Sequence, residues 1–82
     1  HLKGMANHHR IDILLLVGGN PGLTLDQIIE RLDGNPKTIG EHTRKLHIAG
    51  LMNKKYKGKY VEHDLSPYGK KFVAFLKSFK QI

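Results

Sequence analysis

The sequence predicts a mainly α-helical α+β domain in which three helices precede a short β-hairpin and a fourth helix follows it. Apolar residues recur at helical spacing in four segments, and turns rich in Gly and Pro separate these segments. Between the third and the fourth segment the pattern changes to the alternation expected of paired strands. The chain has 82 residues and no cysteine, which predicts one small domain, residues 1–82, with a compact helical core and no disulfides.

The first two helices are predicted from apolar stripes and from the residues that flank them. The first covers residues 6–17, and because residues 11–17 are almost entirely apolar it should be buried on several sides. Gly and Pro residues within 18–22 end it. Thr24 is a good N-cap for the second helix, and Gly34 is expected to end that helix in the left-handed conformation. The apolar stripe of the second helix is Leu25, Ile28, Ile29 and Leu32.

The third helix, about 36–49, is predicted to have one apolar and one basic face. Asn35 is a suitable N-cap, and Pro36 fits the first helical position, where its missing amide hydrogen costs nothing. The expected inward residues are Ile39, Thr43, Leu46 and Ala49. The opposite face carries polar and charged side chains that can hydrogen-bond to base edges, namely Lys37, Thr38, Glu41, His42, Arg44 and Lys45.

The hairpin, about 51–65, is predicted from a glycine between two basic, aromatic-flanked arms. Gly58 should lie at or near its tip, and in the second arm Val61, His63 and Leu65 alternate with Glu62 and Asp64. Tyr56 and Tyr60 are expected to pack across the hairpin, as cross-strand aromatic pairs commonly do.

The last helix, about 67–81, is predicted to begin with a cap and a proline. Ser66 supplies the cap and Pro67 occupies the first helical position. Its apolar stripe is Phe72, Phe75, Leu76 and Phe79, with Ile82 beyond it. These side chains offer more apolar surface than an 82-residue core needs, so we expect a homodimer in which they pack against a second copy. The alternative is that this helix only folds back on the first helix of a monomer.

Positive charge is concentrated in one part of the chain. The formal net charge is +7 and the isoelectric point is near 9.9, which indicates a polyanionic partner, most often nucleic acid. Residues 37–59 contain 7 Lys and Arg residues but only Glu41 as an acid, a net charge of +6. The predicted third helix and hairpin therefore carry most of the excess charge.

Several classes of function are disfavoured by what the sequence lacks. Without cysteine there can be no thiolate metal site and no cysteine nucleophile. No phosphate-binding loop, nucleophile elbow or paired-carboxylate motif is present, so we expect neither an enzyme nor a cofactor. No apolar run approaches the ~20 residues that cross a bilayer, and no secretory signal is recognisable, so a cytoplasmic protein is expected.

Three segments resemble the ArsR-like winged helix-turn-helix regulators of bacteria and archaea. Residues 38–52 are similar to the family's "TVSxHLxxLxxAGLV" recognition helix, residues 2–14 to its "xxALANxxRxxIL" first helix, and residues 61–69 to its "VxYxLTPxG" exit from the wing. Thr43 replaces a usual leucine and His63 a common tyrosine. Because the match begins before Met5, the chain is expected to be cut from a longer protein.

The resemblance implies a transcriptional regulator that binds double-stranded DNA as a homodimer. The third helix would enter the major groove, and the hairpin wing would lie on the backbone or in the minor groove. The residues expected at base edges are Lys37, Thr38, Glu41, His42 and Lys45. Those expected at phosphates are Arg44, Lys54, Lys55, Lys57 and Lys59. The expected dimer residues are Phe72, Phe75, Leu76 and Phe79.

Two other functions remain open from the sequence. One is a metal-responsive repressor without thiolates, but the histidine spacings favour satisfied or exposed side chains over ligands: His8 and His9 are adjacent, His42 and His47 are five residues apart, and His63 stands alone on a strand. The other is a winged helix that binds protein or RNA, since a fold does not fix a function. The basic, polar third helix favours DNA. A chain this short is expected to have no ligand pocket away from a dimer interface.

Overall fold

A computed structural model describes the backbone of residues 2–80 and the side chains of residues 8–79. Within these residues the elements are α1 (Leu2–Gly19), α2 (Leu25–Leu32), α3 (Pro36–Ile48), β1 (Met52–Lys57), β2 (Tyr60–Leu65) and α4 (Pro67–Lys80). The predicted order α-α-α-β-β-α is confirmed. Ile82 lies outside the described residues, and no described helix has the length and apolar character needed to cross a membrane.

Helix α1 is longer at both ends than the predicted range of 6–17. Gly18 and Gly19 still belong to the helix, and the chain turns only at Asn20. The Asn20 side-chain Nδ2 donates to the Leu16 carbonyl at 3.0 Å, and its backbone amide donates to the Val17 carbonyl at 3.2 Å. These bonds satisfy carbonyl groups that a helix end leaves unpaired, so the helix continues through two glycines.

Helix α2 begins as predicted, and its last residue, Leu32, is followed by Asp33 as the C-cap. The Thr24 hydroxyl accepts from the Gln27 amide at 3.3 Å, and the Gln27 side chain accepts from the Thr24 amide at 3.0 Å, a capping box. The left-handed residue is Asp33, with φ 51°, so the assignment of that role to Gly34 was wrong. Gly34 is required for space instead, because a Cβ there would lie 2.8 Å from the Ile39 side chain.

Helix α3 starts at the predicted cap and buries three of the four predicted inward residues. The Asn35 Oδ1 accepts from the amides of Lys37 at 2.9 Å and Thr38 at 3.1 Å. Buried within the domain are Ile39, Thr43 and Leu46. Ala49 is exposed, contrary to the prediction, because the helix ends at Ile48 and Ala49 is its C-cap.

The hairpin has a two-residue turn of Gly58 and Lys59, which places Gly58 at the tip as predicted. Gly58 has φ 60° and Lys59 does not have positive φ, the pattern of a type II′ turn. The register pairs Tyr56 with Val61 and Lys57 with Tyr60. Because opposite residues share a face and neighbours alternate, the two tyrosines lie on opposite faces, so the predicted packing between them was wrong.

The second strand also pairs with the segment before α2. The His63 amide donates to the Leu23 carbonyl at 2.8 Å, and the Gly22 amide donates to the His63 carbonyl at 3.2 Å. Both edges of β2 are therefore occupied near His63. This pairing attaches the hairpin to the body of the domain at its base.

The core lies between α1, α2, α3, the base of the hairpin and α4. Its buried apolar residues are Ile13, Leu14, Val17, Leu23, Ile28, Ile39, Leu46, Met52, Leu65 and Val73. Among the side chains of α1 that the structure describes, the other large apolar ones, Ile11, Leu15 and Leu16, are only partly buried. Helix α4 also packs against α1 within the chain, and it contributes Val73 to the core, a residue outside the predicted stripe.

The start of α4 is fixed to the turn that follows α3. The Ser66 hydroxyl donates to the Gly50 carbonyl at 2.6 Å and accepts from the Gly69 amide at 2.9 Å. The Ser66 amide donates to the Leu51 carbonyl at 3.0 Å. A Cβ at Gly69 would overlap that same carbonyl, so only glycine fits there. The Ser-Pro-x-Gly sequence therefore has a structural explanation in this close approach.

Candidate nucleic-acid interface

One long face of α3 is exposed along its whole length, and we call it the outward face. It is bounded on one side by the contact of His42 with α1 and on the other by the contact of His47 with β2. At 3.6 residues per turn, its centre line passes through Lys37, Glu41, Arg44 and Ile48. Thr38 and Lys45 flank this line, and all six residues are exposed. Four of the five predicted base-contact residues thus share one accessible surface.

The fifth predicted base-contact residue, His42, is half-buried against α1. Its Nδ1 accepts a hydrogen bond from the Arg10 Nε at 3.2 Å, and its ring stacks on His9 with centroids 5.4 Å apart. Burial, with the nearby charges of Arg10, His9 and Lys45, lowers the pKa of His42 below its ordinary value. A neutral His42 can accept the Arg10 bond, so this contact ties α3 to α1.

The four predicted phosphate-contacting lysines of the hairpin are all exposed but do not share one face. Lys54 lies opposite His63 on the face that packs against the body of the domain. Lys55 and Lys57 lie on the other face, opposite Glu62 and Tyr60. The Lys57 Nζ lies 3.8 Å from the Glu62 carboxylate, a partly exposed ion pair. Part of the positive charge of the hairpin is therefore compensated at this position.

Lys59 lies in the turn itself, at the end of the hairpin. Its Nζ is 5.8 Å from the centroid of the Tyr60 ring, within the range of a cation–π contact. The exposed tip thus has one lysine next to an acid and another next to an aromatic ring. Among the described residues, no acidic side chain forms an ion pair with the second lysine.

A histidine pair that the sequence did not predict joins α3 to the hairpin. The His47 Nε2 and the His63 Nδ1 are 2.7 Å apart, and the His47 Nδ1 is 3.0 Å from the Met52 carbonyl. Since a carbonyl can only accept, His47 donates from Nδ1 and its Nε2 accepts from His63. The expectation that His63 stands alone was wrong, because the register of β2 turns its side chain toward α3, where it is only 5% exposed.

The surroundings of this pair disfavour its charged forms. Burial, then the neighbouring His47 and Lys54, lowers the pKa of His63 to about 4. Burial also lowers the pKa of His47, against the opposing effect of the Met52 carbonyl. The pair therefore carries no charge at neutral pH, and it fixes the hairpin relative to the outward face of α3.

Ile48 is an exposed residue of the outward face that the sequence analysis missed. Its side chain is 72% exposed, and it is the last residue of α3, after the turn that carries Arg44 and Lys45. The available signal was its position seven residues after Glu41, which returns to nearly the same line on a helix.

Apolar surface is also exposed at the end of α4. Phe75 and Phe79 are 56% and 58% exposed, and their rings meet edge to face with centroids 4.8 Å apart. The other two predicted dimer residues, Phe72 and Leu76, are half-buried. Phe72 packs against the core of its own chain.

Several open clefts lie at the surface of the described residues. A cleft of about 720 Å³ lies between the end of α1, the hairpin and α4, and the charged residues of its lining are Lys54, Lys55, Asp64, Lys70 and Lys77. A second, of about 370 Å³, lies between α1, the end of α3 and Phe72. Among the described residues no three His, Asp or Glu side chains are grouped as a metal site.

The arrangement of helices and hairpin is that of a winged helix, and solved structures of transcription regulators share it. No protein-family model and no curated protein matches the sequence significantly. The structure is similar to Streptococcus pneumoniae FabT in complex with DNA, with a TM-score of 0.80 and 17% identity, over 88% of this chain and 52% of that one. It is similar to MarR, with a TM-score of 0.82 and 16% identity, over 95% of this chain and 61% of that one.

A shorter protein gives a more complete match. A predicted DNA-binding transcriptional regulator from E. coli has a TM-score of 0.78 and 19% identity, over 95% of this chain and 83% of that one. At these identities the similarities establish the winged-helix fold, as predicted. The chain spans about half to three-fifths of the FabT and MarR chains.

Proposed function

We propose that the protein is a transcriptional regulator that binds specific sequences of double-stranded DNA. The observation that carries the proposal is the position of the +6 charge of residues 37–59. Six of the seven basic side chains of this segment are exposed on the outward face of α3 or on the hairpin arms, and the seventh is in the hairpin turn. A helix with such a face fits the major groove, and a basic hairpin beside it can follow the backbone or the adjacent minor groove.

Within this proposal the polar and charged residues of α3 and the hairpin have two kinds of role. Lys37, Thr38, Glu41 and Lys45 would read base edges; Glu41 could accept from a cytosine amino group and Lys45 could donate to guanine. His42 would reach a base only through Nε2, because Nδ1 accepts from Arg10. Arg44, Lys54, Lys55, Lys57 and Lys59 would contact phosphates, which positions the domain without reading sequence.

We also propose that the protein acts as a homodimer through α4. The support is the exposure of Phe75 and Phe79 on a helix whose inner side already packs against α1. Two copies related by a two-fold axis would present two α3 helices to half-sites about one turn of DNA apart.

A Phe75→Ser, Phe79→Ser variant should be monomeric by light scattering at a concentration where the parent is a dimer. A Tyr68→Ser variant changes another exposed aromatic residue of the same helix and should remain dimeric. A monomeric parent at high micromolar concentration would contradict the proposal.

A finer assignment is that the protein is an ArsR-like regulator of the bacterial or archaeal cytoplasm. It rests on the three sequence segments similar to that family, whereas the FabT and MarR structures named above share the fold at low identity. Protein- or RNA-binding is the second candidate function that a winged helix allows. The basic and polar outward face of α3 favours DNA over a protein partner.

The decisive experiment is selection of bound sites from a random duplex pool, followed by titration of the selected site at several salt concentrations. A two-fold symmetric site would support sequence reading and dimer symmetry together. Lys45→Ala should weaken binding to the selected site, whereas Lys71→Ala, which removes an exposed lysine from α4, should not. Binding that is insensitive to salt, or stronger binding to structured RNA than to duplex DNA, would overturn the proposal.

A further inference from the structure

An aliphatic side chain, that of Ile48, is exposed on the outward face of α3, where the other exposed side chains are polar or charged. Ile48 is 72% exposed, and isoleucine is among the residue types most often buried. The other described residues of α3 with large apolar side chains, Ile39 and Leu46, are buried. Core packing therefore does not account for Ile48.

The position of Ile48 on the helix places it on the proposed DNA-reading surface. It lies seven residues after Glu41 and four after Arg44, so the three side chains follow one line along the outward face. At 1.5 Å per residue, the distance along the helix from Lys37 to Ile48 is roughly 16 Å, the length of about five base pairs. Ile48 can thus meet the groove together with the polar residues before it.

In the major groove, an aliphatic side chain has only one kind of group with which it can make a favourable contact. Isoleucine cannot bind a phosphate or pair with a donor or acceptor on a base edge. The C5-methyl group of thymine is the apolar group that the major-groove edges of the four base pairs present, and apolar side chains recognise it by contact. Because isoleucine is uncharged, it has no hydration shell of a charge to lose when it makes this contact.

We propose that Ile48 is a specificity-determining residue that recognises the C5-methyl group of a thymine in the bound site. This inference rests on the proposed DNA-binding function. It predicts that each half-site contains a thymine read by the last turn of α3. The contact excludes water from two apolar groups, so its loss should resemble the loss of one buried methylene-sized group, about fourfold in affinity.

The test uses duplexes of the selected site in which each thymine in turn is replaced by deoxyuridine, which removes only the methyl group. Affinities are measured for the parent protein, for Ile48→Ala and for Tyr68→Ala, a matched truncation of an exposed apolar side chain on α4. The parent and Tyr68→Ala should each lose about fourfold in affinity at one thymine per half-site. Ile48→Ala should bind the unmodified site about fourfold more weakly and lose nothing further at that position. Unchanged thermal unfolding would confirm that the exposed substitution leaves the fold intact.

The possible results separate this inference from the function on which it rests. Salt-dependent, specific binding with no sensitivity to deoxyuridine would overturn the role of Ile48 and leave the DNA-binding function standing. The same would follow if Ile48→Ala kept the full deoxyuridine penalty. Absence of specific duplex binding by the parent would overturn both. A change of oligomeric state in Ile48→Ala would assign the side chain to a contact between copies instead.

Discussion

The two sides of α3 differ in how their polar groups are satisfied. On the inner side, hydrogen bonds with defined geometry connect α3 to the hairpin, through the contacts of His47 with Met52 and His63. Others connect the turn after α3 to the start of α4, through the contacts of Ser66 with Gly50 and Gly69. We call this region the junction. On the outward face the side chains are long, exposed and charged. The junction sets where the hairpin lies relative to α3, and the outward side chains determine what the two elements can bind. Changes in the junction should therefore alter stability, and changes on the outward surface should alter binding alone.

The largest effect is expected from Gly69→Ala in the junction. The added methyl group would overlap the Leu51 carbonyl, a backbone atom that cannot move without shifting the turn after α3. We expect a loss of about 3 kcal/mol in the free energy of unfolding, measured by urea denaturation. Gly19→Ala is the matched control, since a Cβ there meets nothing within 4 Å. Equal stability of the two variants would show that α4 is not held against this turn.

Acidification is expected to weaken the junction through His63. Its pKa is near 6.5 in the unfolded chain and about 4 in the folded one, so between these pH values the unfolded state binds a proton that the folded state does not. The contribution of His63 is thus fully present above pH 6.5 and is lost as the pH falls to about 4, with a total of about 3 kcal/mol. The lowered pKa of His47 acts in the same direction.

The measurement is the free energy of unfolding of parent and variant from pH 7 to pH 4. His63→Phe should lose markedly less stability over this range than the parent. His8→Asn, which changes a histidine with a 70% exposed side chain, should follow the parent. A parent protein whose stability does not fall with pH would contradict a neutral, buried histidine pair.

A smaller gain in stability is expected from Thr43→Val. The Thr43 hydroxyl is buried and has no hydrogen-bond partner among the described residues. Valine keeps the shape of the side chain and removes the unsatisfied group, so the free energy of unfolding should rise by about 1 kcal/mol. Thr38→Val changes an exposed threonine of the same helix and should not raise it. A loss of stability on Thr43→Val would mean that the hydroxyl is bound in solution.

The smallest effects on stability, and the clearest on binding, are expected at the hairpin tip. Lys59→Ala removes a charge with no acidic partner in the described chain, so the slope of log affinity against log salt should fall by about one. Lys57→Ala should change the slope less, because the adjacent Glu62 already offsets part of its charge. Both variants should unfold within about 0.5 kcal/mol of the parent. Equal slopes for the two variants would show that the Lys57–Glu62 pair does not persist in solution.

Local sequence signals predicted most of the fold. The caps at Thr24 and Asn35, the glycine at the hairpin tip and the order of elements depend on neighbouring residues, and all are as expected. The errors arose where two local choices compete. Either Asp33 or Gly34 could end α2 in the left-handed conformation, and Asp33 does so, while the space that Gly34 leaves is set by Ile39 of another helix.

The site was less predictable because its geometry depends on distant contacts. The outward face of α3 follows from helical periodicity, but the attachment of His42 to Arg10 involves residues 32 positions apart. The distribution of lysines over the two faces of the hairpin depends on a register that the sequence did not fix, and so does the His47–His63 contact.

The first strand of the hairpin has a further property. Strand β2 is paired on both sides near His63, but within the described residues β1 pairs only with β2, so its other edge is open to a strand from another molecule. Such edges promote aggregation, and lysines along them oppose it because two like-charged strands repel each other. Lys54, Lys55 and Lys57 all lie on this strand. The charge proposed to bind DNA would then also keep the protein dispersed when DNA is absent, and a variant stripped of all three lysines should precipitate before its loss of DNA binding can be measured.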